Sequence, residues 1–220
     1  MAGAVQGGRD YAKWGFFSLL GLCLLAVIYA DERFLVIPTH PEWKHIAPFR
    51  WLLLPHGIFG AIALLSGPLQ FSDTIRRVRP ILHRWTGYAY IVAVTVAAPL
   101  ALSISIAGFE PKTIYVEQFF QAGGWLLCTA FALVCILRLN IQAHKRWMMR
   151  SYGFTLVFVM SRVPDAIPGF KWNDQLLSDV LWGLVVVAVV APDVILTTRE
   201  LLRAKPKPVV AARARAAKAA

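Results

Sequence analysis

Histidine is the residue type in this chain best suited to chemistry, because a neutral imidazole offers one lone pair to a metal or proton and one N–H to fix its orientation. Of the five histidines, His56 stands inside an apolar run with Gly57, Gly60 and Gly67 close by. His83 and His144 each open a cluster of cations and aromatics: Leu82-His83-Arg84-Trp85-Thr86-Gly87-Tyr88, and His144-Lys145-Arg146-Trp147-Met148-Met149-Arg150-Ser151-Tyr152. His40 and His45 lie in a polar stretch with Pro38 and Pro41. Imidazoles from facing helices, with arginines beside them, are the parts of a b-type haem site. The histidines would ligate the iron while Arg84, Arg146 or Arg150 neutralised the propionates. On this reading His83 and His144 pair at one end of the chain's helices, and His56 needs His45 or His40 at the other. A quinone is the second cofactor these residues could serve, with Gln70 donating to its carbonyl.

The competing reading of the same residues is structural. His83 and His144 would bond lipid headgroups or cap helix ends, while Trp85, Trp147, Tyr88 and Tyr152 form an interfacial aromatic belt. His56 resists that reading, since an imidazole inside an apolar span is costly to leave unpaired. His56, Gly60 and Gly67 recur at helical spacing and make a face of small residues that another helix or a flat ligand could approach. Arg162 and Asp165, at the level of His56, could form a pair or an anion site beside it. Asp193 calls for neutralisation by Arg84 or Arg150.

The elements that must hold these residues are membrane helices. With 58% of its 220 residues hydrophobic, 16% charged and a mean hydropathy of +0.58, the chain has the profile of a polytopic membrane protein. Six apolar runs are expected, at about 14–30, 51–71, 83–107, 118–139, 147–163 and 176–198, most near the roughly 20 residues that span a bilayer. The first follows Arg9 and Lys13, the order of a signal peptide, but another membrane run comes next and a retained helix is expected. Pro80 is expected to help end the basic loop 72–84, and Pro99 to kink the third helix. Cys23, Cys128 and Cys135 sit inside apolar runs without metal spacing and are expected to be inert packing residues.

Of the 23 Lys and Arg, 17 fall in the N-terminus, the 71–84 and 138–150 loops and the tail. The positive-inside rule then places both termini and both His-basic-Trp clusters in the cytoplasm. The net charge of +11 is met by anionic headgroups at the basic loops and tail; no nucleic-acid partner is expected. His56 lies about 20 Å along its helix from Gln70 at 1.5 Å per residue, too far to share one metal with His83 or His144. Nucleotide-binding loops and hydrolase motifs are absent, including GxSxG and HExxH.

Pro55-His56-Gly57 through Gly67-Pro68-Leu69-Gln70-Phe71, then Leu82 through Tyr90, Trp125, His144 through Tyr152 and Arg162 carry a family resemblance. Over roughly residues 50–163 the sequence resembles a bacterial family of predicted multipass membrane proteins, the domain-of-unknown-function family 2306. The resemblance implies an integral membrane protein and little more; a bacterial inner-membrane location is the expectation that goes with it. A looser similarity to b561-type haem cytochromes rests on about six helices and histidines near helix ends, without two clear intramembrane histidine pairs.

The expectation is thus an all-α bundle of about six transmembrane helices over residues 1–198, cytoplasmic at both termini, with a basic, disordered tail over 199–220. Its expected role is b-type haem or quinone binding in membrane electron transfer through His56, His83, His144, Arg84, Arg150 and Arg162, with a membrane redox partner or a second copy of the chain. The alternative is a non-catalytic subunit or small-solute transporter with a polar cavity around His56 and Arg162.

Overall fold

Helix follows helix through the described part of the chain, which in this computed structural model comprises residues 15, 17–29, 37–39 and 43–203. Among these residues there is no strand. An apolar helix α1 (Phe17–Tyr29) precedes the single turn α2 (Trp43–Ile46), then α3 (Arg50–Gln70), α4 (Asp73–Val78) and α5 (Pro80–Ile106). A 3-10 turn at Lys112–Ile114 leads into α6 (Tyr115–Leu137); α7 (Ile141–Arg162), a 3-10 turn at Val163–Ala166 and α8 (Asp174–Arg203) complete the order. His40 and the tail beyond Arg203 lie outside the described residues.

Among the described residues, four segments are long and apolar enough to cross a membrane: α3, α5, Lys112–Leu137 and Asp174–Leu202. The other two expected crossings fall short by that measure. The described part of α1 is shorter, and α7 has 22 residues but carries His144, Lys145, Arg146 and Arg150 in its first half. The exterior is greasy. Only 22% of the most apolar stretch of α8 is buried inside the protein, and Val186, Val187, Val190 and Val194 face outward. A surface of that kind is stable against lipid chains, not water.

Local chemistry sets the helix ends. Ser72 caps α4 by accepting from the Ile75 N–H at 3.3 Å, and Asn140 caps α7 by accepting from Ala143 at 3.1 Å; Asn173 does the same for Leu176 at 2.8 Å. Pro80 does not end a loop but begins α5 at a position where its missing N–H is no loss. The expected loop 72–84 is therefore mostly helix. α5 also continues through Pro99, with the Ser103 hydroxyl donating to the Pro99 carbonyl at 2.9 Å. The expected loop 138–150 shrinks to Arg138, Leu139 and Asn140, with Leu139 in the left-handed region at φ 57°. Its cations ride on the first turns of α7 instead.

The core lies between α3, α5, α6, α7 and α8, with the closest associations between α3 and α5, α6 and α7, and α7 and α8. Small residues line it: Ala63, Ala93, Ala97 and Ala98 are fully buried, which lets the helix backbones approach as membrane packing requires. The small face of α3 admits a helix, not a flat ligand. A Cβ on Gly67 would overlap the Tyr152 ring, and one on Gly60 would touch Phe158 at 3.7 Å. Within the described part of α1, Leu20 and Val27 are buried against Leu64 of α3 and Val159 of α7.

Candidate functional site

His56 sits in the second turn of α3 with its ring edge-on to Phe158 at 5.3 Å. Its Nδ1 lies 2.9 Å from the Ala97 carbonyl of α5. A carbonyl only accepts, so Nδ1 carries the proton and Nε2 is left as a lone pair. Among the described residues no atom hydrogen-bonds Nε2. The cavity beside the ring is built by α3, α5, α6, α7 and α8, and its polar walls come from His56, Ser105, Glu110, Gln118, Gln121 and Arg162. Arg162, in the last turn of α7, pairs with Glu110 at 3.1 Å. It does not pair with Asp165, which instead accepts from the Trp172 indole at 2.6 Å. Ser105 is 1% exposed and its hydroxyl has no partner. The cavity volume is about 80 Å³. One water takes about 10–15 Å³ on that measure, so the space suits a few waters or one small polar molecule.

The other histidines lie away from His56. Ala97, which His56 bonds, is 14 residues along α5 from His83, about 21 Å at 1.5 Å per residue. At the His83 end, Gln70 donates to the His83 carbonyl at 3.0 Å and to the Thr86 hydroxyl at 2.5 Å, so its amide is occupied within the protein. His83 has a buried Nδ1 without a partner, and His144 is near enough to act on it electrostatically. The His144 Nδ1 lies 2.8 Å from the Ala132 carbonyl of α6, again leaving Nε2 as the lone pair. The neighbouring cations are bound to α8: Arg150 meets Asp193 at 2.6 Å, and Arg146 pairs with Glu200. Arg150 also lies over Trp147, which stacks on Phe131. Arg84 is exposed. His45 stacks on Phe109 with ring centres 5.1 Å apart and is not part of the cavity wall.

Residues 53–196 match the family model described as predicted membrane protein, DUF2306. The chain belongs to the DUF2306 family. Together with its four crossing-length helices, this makes the DUF2306 protein an integral membrane protein. His56, His83, His144 and Arg162 all fall within the matched range. No curated protein and no solved structure matches the DUF2306 chain, and the looser likeness to b561-type cytochromes is not supported.

Of the candidate residues in this DUF2306 chain, His56 and Arg162 come together in one cavity, while His83 and His144 lie at the opposite end, near enough to act on each other electrostatically. Besides Ser105, Glu110, Gln118 and Gln121 of the cavity wall, two buried polar groups were not legible in the sequence. Glu117, in the first turn of α6, is fully buried with both carboxyl oxygens unbonded. Its signal was the helical spacing Ile114, Glu117, Gln121, Trp125, which turns it inward with the cavity-lining residues. Tyr90 is the second. Its hydroxyl meets Ser151 at 2.7 Å and Thr155 at 3.0 Å and accepts from the Trp125 indole at 3.3 Å. Thr129 extends the network from Ser151 at 2.7 Å. Four hydroxyl residues inside otherwise apolar helices were the signal for it.

Proposed function

We propose that this protein binds a small polar solute inside the bilayer, in the cavity around His56 and Arg162, as a transporter or as the solute-binding subunit of a membrane complex. The observation that carries the reading is that His56 and Arg162, from different helices, wall one cavity together with the unpartnered Ser105 hydroxyl. Unmet hydrogen-bonding capacity in an apolar span is a standing demand for a polar ligand. At about 80 Å³ the space is far too small for a porphyrin. The topology that accompanies this reading is six crossings of a bacterial inner membrane with both termini cytoplasmic. The exposed Arg77 and Arg79 then lie against anionic headgroups.

A thermal-stability screen of the purified protein against small polar solutes tests it. A solute at a hundredfold excess over its Kd should stabilise by about 2.7 kcal/mol, on the order of 5–10 °C for a chain of this size. That shift should disappear in both His56→Leu and Arg162→Leu. Solutes whose stabilisation survives both substitutions would place binding elsewhere and remove the cavity from the account.

A second reading, b-type haem or quinone between His83 and His144 in an electron-transfer role with a membrane redox partner, has one observation in its favour. An Nδ1–H held by a carbonyl, with Nε2 left bare, is how proteins orient an iron-ligating imidazole, and His144 has that arrangement. Protein purified from haem-replete membranes should then show a Soret band that His144→Ala and His83→Ala abolish. A spectrum without the band eliminates the haem form of this reading.

A further inference from the structure

Two carboxyl groups and one guanidinium lie at the His56 end of the bundle. Glu110, whose side chain is 12% exposed, holds Arg162. Glu117 is 0% exposed, neither of its oxygens has a donor, and the charge that bears on it is that of Glu110. The elements around it carry few other titratable groups: His56 on α3, Lys112 in the 3-10 turn, Arg162 and Asp165 at the end of α7, Asp174 and Asp179 at the start of α8. With Arg162 paired to Glu110, an ionised Glu117 finds no compensating cation among the described residues, and a buried charge without one is costly in a membrane protein. A hard metal ion does not answer the need. Such ions take about six oxygen ligands, and among the described residues no three His, Cys, Asp or Glu side chains come together. A proton is the one cation that a single carboxyl oxygen can hold unaided.

We propose that Glu117 binds and releases a proton, and that this exchange controls the Glu110–Arg162 pair on the cavity wall and with it the access of solute. The proposal rests on the reading of the cavity as a solute site. With the proton on Glu117, Glu110 and Arg162 stay paired. On release, the Glu117 O–H bond breaks and the proton passes to water. A second negative charge beside Glu110 then competes for Arg162, and the pair on the wall rearranges. Solute binding is thereby linked to proton movement, the arrangement a proton-coupled transporter requires.

Infrared spectroscopy of the full chain in liposomes reads the proton directly, whether or not a solute is ever found. The wild type should show the C=O stretch of a carboxylic acid that is missing in Glu117→Gln and is lost as the medium is made alkaline. No band dependent on Glu117, or a band that persists at every pH, overturns the proposal. Access is read separately, in a chain with Cys23, Cys128 and Cys135 replaced by Ala, as the rate at which Ser105→Cys reacts with a small polar thiol reagent. Corrected for thiol ionisation at an exposed control cysteine, that rate should change with pH by roughly 5- to 150-fold, the usual range of coupling between two sites. Glu117→Gln should flatten the response and Glu117→Asp should keep it. A pH response that survives Glu117→Gln unlinks the residue from the cavity, whereas an infrared band that titrates beside a cavity that binds nothing would remove the solute reading alone.

Discussion

Gly153→Ala is expected to be strongly destabilising. A Cβ there would lie 2.7 Å from the Ala188 carbonyl oxygen, 3.2 Å from its Cα and 3.3 Å from its carbonyl carbon. All three are backbone atoms of α8, so no rotamer change relieves the overlap and the whole helix must withdraw from α7. Overpacking of a well-filled core typically costs about 1–3 kcal/mol, and the upper end applies where backbone blocks relaxation. The displaced interface also carries the Arg150–Asp193 and Arg146–Glu200 pairs. Two companion variants sharpen the result. Gly124→Ala meets the Phe154 ring tip at 2.6 Å, a side chain with some freedom, and should cost less. Gly123→Ala meets nothing within 4 Å and should be neutral or stabilising by up to about 1 kcal/mol through helix propensity. Unfolding in detergent against increasing dodecyl sulfate ranks the three; a Gly153→Ala protein as stable as the wild type would contradict the α7–α8 contact.

Tyr90 should produce the second large effect, in two separable parts. Tyr90→Phe keeps the ring and removes the hydroxyl that joins α5 to Ser151 and Thr155 of α7 and to Trp125 of α6. Hydrogen bonds between membrane helices average about 0.6 kcal/mol each. The three together amount to roughly 1–2 kcal/mol on that scale, with the Trp125 N–H left without its acceptor. Tyr90→Ala also empties a fully buried site, and large-to-small replacement of an aromatic costs about 3–5 kcal/mol. The same unfolding titration should place Ala well below Phe. Equal losses would mean that the hydroxyl network, and not the ring, holds the three helices.

The sequence was most legible where a residue's surroundings are set by its own helix. Composition and run length made the membrane bundle plain, and His56 could be placed by depth because its run was clean. Boundaries differ where charge outweighs helix-start chemistry: Asn140 caps α7 and Pro80 opens α5, so both helices begin earlier than expected and, with α4, take in most of the cations of the expected loops 72–84 and 138–150. Partners across the bundle were not legible. Arg162 finds Glu110, 52 residues away, in place of Asp165 three positions on, because the 3-10 turn after α7 turns Asp165 toward Trp172. Glu117 was overlooked since one acid at the edge of an apolar run looks like an ordinary helix start. Only packing shows that it faces inward.

The three-residue turn between α6 and α7 bears on how the chain is made. Beyond its basic first half, α7 offers an uncharged stretch of only 11 residues before Arg162, Ser151–Ser161, fewer than the roughly 17 that suffice to partition alone into a bilayer. Tied to α6 by Arg138–Asn140, it is in a position to enter as the second arm of a helical hairpin. Arg146 and Arg150 nevertheless emerge from the ribosome more than 40 residues ahead of Asp193 and Glu200. Until α8 is synthesised those cations lack their carboxylate partners, so the ion pairs that tie α7 to α8 are the last to form.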